Sequence, residues 1–193
     1  SIGTQTGGVL FDSGVQGQAA SFDGVDDKFE ITNFPWPIES YTLSWWQNPK
    51  SLIDSNQRIG KDGDTFYLHT TATGAIWGGF NASERFNYTE IPAGTMEVDI
   101  WSYFTFSYDG TTGKFYKDGN LIASKAMPTK PLPFTDFSFH QTHGLIDEVR
   151  IYDTVLTPAQ ILQEYDDTKP PEPILSYDFE NNFQDSSGYD NHG

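Results

Sequence analysis

Apolar and polar positions alternate with a period of two through most of the chain, the pattern of strands that turn one face to a core. "YTLSWWQ" sets Tyr41, Leu43 and Trp45 against Thr42, Ser44 and Trp46, and "DTFYLHT" sets Phe66 and Leu68 against Tyr67 and His69. "WSYFTFSYDG" likewise sets Phe104, Phe106 and Tyr108 against Tyr103, Thr105 and Ser107. In all three one side is greasy, and the other carries hydroxyls, imidazole and aromatic rings. Further strands are predicted at "AASFDG", "KFEI", "AIWGGF" and "LIDEVRIY". "GKFYKDGNLIAS" reads as a hairpin whose Asp118-Gly119 pair supplies the positive φ angles of a tight turn. Many short strands separated by turn signals predict an all-β fold of two antiparallel sheets packed face to face.

One segment departs from this period. "TPAQILQEYDD" offers Thr157 as N-cap, Pro158 in the first turn and Gln160 at the capping-box position, which predicts one short helix near residues 157–165. Ile161 and Leu162 are its expected apolar anchors. "DDTKPPEP" reads as a linker stiffened by Pro170, Pro171 and Pro173, after which "ILSYDFENN" resumes the strand alternation. The expected organisation is a sandwich over 1–166, a Pro-rich linker over 167–173 and a further opening strand within 174–193.

Composition narrows the choices of function. A chain of 193 residues is long enough for one domain with a sizeable core. With 27 acidic against 11 basic side chains, the net charge of -16 argues against nucleic-acid binding and against anionic membranes. The same acidic excess suits a solvated surface, or carboxylates held for hard cations. Cysteine is absent, which excludes disulfides and thiolate metal sites and leaves the compartment open. No apolar run of about 18 residues predicts a membrane span. Ser1 in place of a methionine predicts a piece of something longer, with targeting signals outside it. Asn81 in "NAS" and Asn87 in "NYT" fit glycosylation sequons, triplets that also arise often by chance.

Taken together, "ASFDGVDDKFEI", "YTLSWWQNP", "WSYFTFSYDGTTGKFYKDGNLIAS" and "LIDEVRIYDTVLTPAQI" resemble the laminin-G-like (concanavalin A-like) jelly-roll domains of bacterial surface and secreted proteins. The resemblance covers nearly the whole chain in the family's order. It implies an all-β, two-sheet antiparallel jelly-roll sandwich in a secreted or cell-surface protein. That family begins with a strand of the form tyrosine-x-phenylalanine followed by a D-S-S-G turn, and here "SYDFENNFQDSSG" stands at 176–188 instead. Two accounts fit: the segment is the first strand of a next tandem repeat, or the repeat is circularly permuted. Either way Leu175 to Phe179 are expected to pair beside "LIDEVRIY", in the same fold or by strand exchange with an identical neighbour.

Candidate chemistry follows from the residue types. Hydrolases of laminarinase type place Glu-x-Asp-x-x-Glu on one strand, whereas "EVDIWS" has Glu97 and Asp99 and then Ser102. "QTH" (Gln141 to His143) and "FYKDGN" follow lyase patterns only in part, so no enzymatic activity is expected. His140 and His143 are three apart, which on one strand points them to opposite faces and argues against zinc. A structural calcium ion is the metal expected by resemblance, held by Asp147 together with Asp178 and Asn181 of the opening strand. Asp147 equally suits a turn or a pairing with Arg150, and Asp23, Asp26 and Asp27 in "FDGVDD" suit turn chemistry. Sugars are recognised by flat rings stacking on C–H faces and by polar groups meeting hydroxyls. Trp46, Tyr67, His69, Trp77 and Tyr103 supply that mixture, with Thr42, Ser44, Thr105 and Ser107 lining the groove and Trp36 on a rim. Trp45, Phe104 and Phe106 are assigned to the core. The expected function is a lectin-like module binding a glycan or polysaccharide in adhesion or targeting. The alternative is a structural repeat of an adhesin stalk, and a glycan-active hydrolase or lyase ranks third.

Overall fold

The computed structural model describes residues 3–34, 39–52, 57–61, 66–80, 83–131, 136–140 and 142–170. The strands among them are β1 (Gly3–Thr6), β2 (Leu10–Ser13), β3 (Gln18–Asp23), β4 (Lys28–Ile31), β5 (Tyr41–Pro49), β6 (Gln57–Lys61) and β7 (Phe66–Thr70). They continue as β8 (Ile76–Gly79), β9 (Arg85–Phe86), β10 (Ser102–Tyr108), β11 (Thr112–Lys117), β12 (Asn120–Ala126), β13 (Phe137–His140) and β14 (His143–Tyr152). The helix α1 spans Pro158–Thr168.

The strands form two seven-stranded antiparallel sheets. A front sheet runs β1-β4-β13-β6-β7-β8-β9, and a back sheet runs β12-β11-β10-β5-β14-β3-β2. Chain order and spatial order differ, so that β13 and β14 are consecutive in the chain yet sit in opposite sheets. His140 on β13 and His143 on β14 are therefore parted by the crossing between sheets, each bonded to a serine: Ser138 at 3.0 Å and Ser51 at 2.7 Å.

Between the sheets lies the core that the alternation predicted. Tyr41, Leu43 and Trp45 from β5 meet Phe104, Phe106 and Tyr108 from β10, all at most 1% exposed. Leu68, Ile76, Phe137 and Phe139 approach from the front sheet, and Phe80 and Phe86 fill the far end. Rings pack tilted or edge-on, as their quadrupoles favour: Trp45 lies 5.6 Å from Phe104, and Phe80 4.7 Å from Tyr108. The hairpin between β11 and β12 turns at Asp118 and Gly119, with φ of 50° and 76°.

The helix starts as the sequence predicts and ends later. Gln160 N donates to Thr157 Oγ1 (3.3 Å) and Thr157 N donates to Gln160 Oε1 (2.9 Å), completing the capping box. The helix continues through Thr168, so the first residues assigned to a linker are helical. Of the two expected anchors, Ile161 is fully buried, whereas Leu162 is 44% exposed. The inward face is completed instead by Glu164, Tyr165 and Thr168, polar or amphipathic residues that an apolar pattern does not reveal. Beside β14, β3 pairs over His143 to Ile146, and the pairing expected of Leu175 to Phe179 along the rest of that strand lies outside the described residues. Trp36, Asn81, Gln141, Asp178, Asn181 and the whole of 174–193 lie outside the described residues.

Candidate functional site

The five aromatic candidates do not form one surface. Trp46 and Tyr103 are cross-strand partners on the outer face of the back sheet, with ring centroids 5.3 Å apart. Helix α1 lies across them. Tyr165 stacks on Trp46 at 5.6 Å and 28°, and Trp46 Nε1 donates to Thr168 Oγ1 at 2.9 Å. The hydroxyls of Tyr103 and Tyr152 both donate to the Glu164 carboxylate, the first at 2.8 Å. Trp46 is 2% exposed and Tyr103 fully buried, as are Thr42, Ser44, Thr105 and Ser107 to within 2%. No surface remains on this side for a sugar ring to reach. Burial, and then the neighbouring Glu164 carboxylate, push the Tyr152 hydroxyl up to about 12. Burial comes first among the causes that push Tyr103 upward too, with the Glu164 hydrogen bond and charge adding to it.

Tyr67, His69 and Trp77 sit on the opposite side of the molecule. Because Leu68 and Ile76 enter the core, their neighbours on β7 and β8 face outward from the front sheet. His69 and Trp77 are direct cross-strand partners, stacked at 4.5 Å and 21°. Tyr67 stands edge-on to both, at 5.2 Å and 5.7 Å, opposite Gly79, which adds no side chain over the ring. Two residues that the alternation did not single out join them. The Arg85 guanidinium lies 5.1 Å from the Trp77 ring centre, and Tyr88, 52% exposed, stands edge-on to Trp77 at 6.2 Å. Tyr88 is displayed by a turn in which Asn87 Oδ1 accepts from the backbone of Thr89 and Glu90, at 2.9 Å and 3.3 Å. The sequon-like "NYT" therefore contains a turn signal, which is the clue that would have found this ring.

The acidic candidates also separate. Asp147 is 8% exposed, and each of its oxygens accepts a backbone N–H: Oδ1 from Glu148 at 2.8 Å and Oδ2 from Gln16 at 3.1 Å. It sits at a bulge in β14, where Glu148 takes a φ of 49°. Arg150 pairs with Glu148 and approaches Glu164 rather than Asp147. Its expected companions Asp178 and Asn181 lie outside the described residues, so Asp147 is seen holding a turn. Glu97 and Asp99 form surface ion pairs with Lys117 (3.4 Å) and Lys50 (2.8 Å), and Ser102 is buried at the start of β10. A second acidic group, Asp23, Asp26 and Asp27, brings three carboxylates close enough to hold a metal ion.

The four motif segments lie in this sandwich in their sequence order, and a family comparison matches residues 23–162 to the laminin-G family described as the Concanavalin A-like lectin/glucanases superfamily. The chain belongs to that superfamily. Among solved structures sharing the concanavalin A-like fold, domain 4 of AbnA, a GH43 extracellular arabinanase from Geobacillus stearothermophilus, is 22% identical with a TM-score of 0.69. The match covers 83% of this chain and 86% of that domain, which was solved with arabinotriose. The receptor binding domain of botulinum neurotoxin C/D mosaic serotype is 15% identical with a TM-score of 0.67, covering 86% of this chain and 46% of that one. The binding domain of Paraclostridial Mosquitocidal Protein 1 is 11% identical with a TM-score of 0.63, covering 86% and 47%. The chain thus spans about half the length of the two toxin domains. No curated protein matches it. Among the described residues no helix is long and apolar enough to cross a membrane.

Proposed function

We propose that this concanavalin A-like domain is a non-catalytic, lectin-like module of a secreted or cell-surface protein, binding a glycan through the outer face of its front sheet. The observation that carries the reading is the aromatic cluster of Tyr67, His69, Trp77 and Tyr88 with Arg85, on a sheet face that no described helix covers. Half-buried Tyr67 and Trp77 and exposed Tyr88 offer ring surfaces to sugar C–H groups, the Tyr hydroxyls and the guanidinium supply hydrogen bonds to ring hydroxyls, and His69, 7% exposed, backs the Trp77 ring from beneath. Two ligands held by proteins of similar fold are in keeping with it: arabinotriose on AbnA domain 4 and SialylT on the botulinum neurotoxin DC binding domain. Adhesion, or targeting of an attached enzyme to polysaccharide, is the role assigned. A calcium ion is the metal assigned to the fold, because the chain offers hard oxygen ligands and no thiolate.

The test is a glycan array followed by tryptophan fluorescence titration of each sugar retained. The parent protein is expected to respond to at least one glycan, and Trp77→Ala to weaken that binding at least about tenfold, the order seen when a central aromatic is truncated. A conservative change under the helix, Trp46→Phe, is expected to leave affinity unchanged. Binding that survives Trp77→Ala overturns the placement of the site.

The stalk reading has one observation of its own. β2 is the outermost strand of the back sheet, and Leu10 and Phe11 on it are 70% and 63% exposed, a surface suited to contact between neighbouring repeats. Silence on the whole array, with self-association abolished by Phe11→Ser, would favour it.

A further inference from the structure

The turn from β3 into β4 brings the carboxylates of Asp23, Asp26 and Asp27 to within 4.8 Å of one another. Turn chemistry accounts for some of their oxygens. Asp23 Oδ1 accepts from Val25 N and Asp27 Oδ2 accepts from Asp23 N, both at 2.8 Å. It does not account for Asp27 Oδ1. Asp27 is only 5% exposed, and this oxygen is buried without a hydrogen-bond partner. An ionised oxygen in that position needs compensation, since desolvating a charge with nothing to receive it is among the costliest arrangements in a fold.

Among the described residues no basic side chain forms an ion pair with this oxygen. Lys28 pairs with Glu30 at 2.6 Å and Lys50 with Asp99 at 2.8 Å, and none of the three aspartates has an ion pair among the described residues. The orphan oxygen faces the turn between β1 and β2. There Gly7 and Gly8 take φ of 86° and 113°, and a Cβ on Gly8 would stand 3.9 Å from Asp27 Oδ1. A cavity of about 390 Å³ opens nearby, lined by Gly8, Asp12, Asp23, Asp27, Lys50 and His143 among others.

The geometry points to a calcium ion bound by Asp23, Asp26 and Asp27, fixing the β3–β4 turn against the Gly7-Gly8 turn. Calcium takes oxygens at about 2.3–2.6 Å in a flexible geometry, and carboxylates within 4.8 Å of one another can share one such ion. Water and backbone carbonyls complete the six to eight ligands such an ion takes. This site lies on the turns and not on the aromatic face, and the inference stands whether or not the glycan reading does.

The experiment uses the full chain after chelation, with calcium alone as the probe and no sugar present. Calorimetric titration is expected to show binding, and calcium at about a hundredfold excess over Kd to raise Tm by about 5–10 °C. Asp26→Asn, at an exposed position, is expected to weaken calcium binding at least about tenfold and to leave the metal-free Tm in place. Asp27→Asn is expected to abolish the calcium-dependent rise, with circular dichroism checking that it folds. Absence of both binding heat and Tm shift overturns the inference, as does calcium affinity undiminished in Asp26→Asn.

Discussion

On the back sheet a Trp–Tyr pair, Trp46 and Tyr103, lies sealed beneath α1; on the front sheet a His–Trp pair, buried His69 and half-buried Trp77, lies under no described helix, with Arg85 and Tyr88 against the indole. Both pairs are cross-strand partners on outward faces of central strands, and both come from segments with the same alternation. What separates them is a helix whose inward residues pair with specific groups of the back face. Tyr165 covers the indole, Thr168 accepts its N–H, and Glu164 receives the tyrosine hydroxyls. An outward aromatic is therefore a ligand site or a docking site according to what the rest of the chain can lay on it. Strand pattern alone does not choose between the two.

The sharpest way to break this comparison is to truncate one tryptophan on each side. Trp46→Ala is expected to cost about 3–5 kcal/mol, because it leaves a cavity and removes the indole N–H that Thr168 accepts, while Trp77→Ala costs about 1 kcal/mol, the worth of an aromatic pair near solvent. Urea unfolding of the two variants measures both, and similar losses would mean that the front cluster is also structural. A milder probe loosens the cover without touching the sheet. Thr157→Ala removes the N-cap and the capping box for about 1 kcal/mol, and acrylamide quenching is then expected to reach Trp46 more easily than in the parent. The smallest effect is on alkaline stability. Tyr152 and Tyr103 hold their protons more tightly when folded than the ordinary value near 10, so their contribution is complete below about pH 10. It is lost as pH rises through the range from about 10 to about 12, where the unfolded chain ionises first. Urea midpoints stepped through that range are expected to fall, and to fall less steeply in Tyr152→Phe.

Much of the fold was legible because its rules are local. Trp45 and Trp46 were placed on opposite faces by period two alone, the Asp118-Gly119 turn by its backbone demand, and the helix start by Thr157 and Gln160. The assignment of five aromatics to one groove failed because alternation says which side of its own strand a residue takes, not which sheet the strand joins. β5 and β10 went to the back sheet and β7 and β8 to the front, through connections that carry no periodic signal. The cover itself was hidden because Thr168 meets Trp46 across 122 positions, through a hydroxyl that no apolar pattern marks. For Asp147 the sequence left a calcium ligand, a turn residue and a partner of Arg150 equally open, because its partners here, the backbone N–H groups of Gln16 and Glu148, depend on a bulge that composition does not announce. The orphan oxygen of Asp27 became visible only once burial was known.

Helix α1 is also fastened at both ends to the same layer. Leu156 N donates to Thr42 Oγ1 at 2.9 Å at its start; Trp46 Nε1 and Gln16 Nε2 donate to the side chain and carbonyl of Thr168 at its finish, at 2.9 Å and 3.2 Å. Tension applied to the polypeptide at Pro170 must load the Thr168 clasps before any described strand is drawn. Pulled from there, the domain would release a short length of helix first and keep its ladders as the reserve.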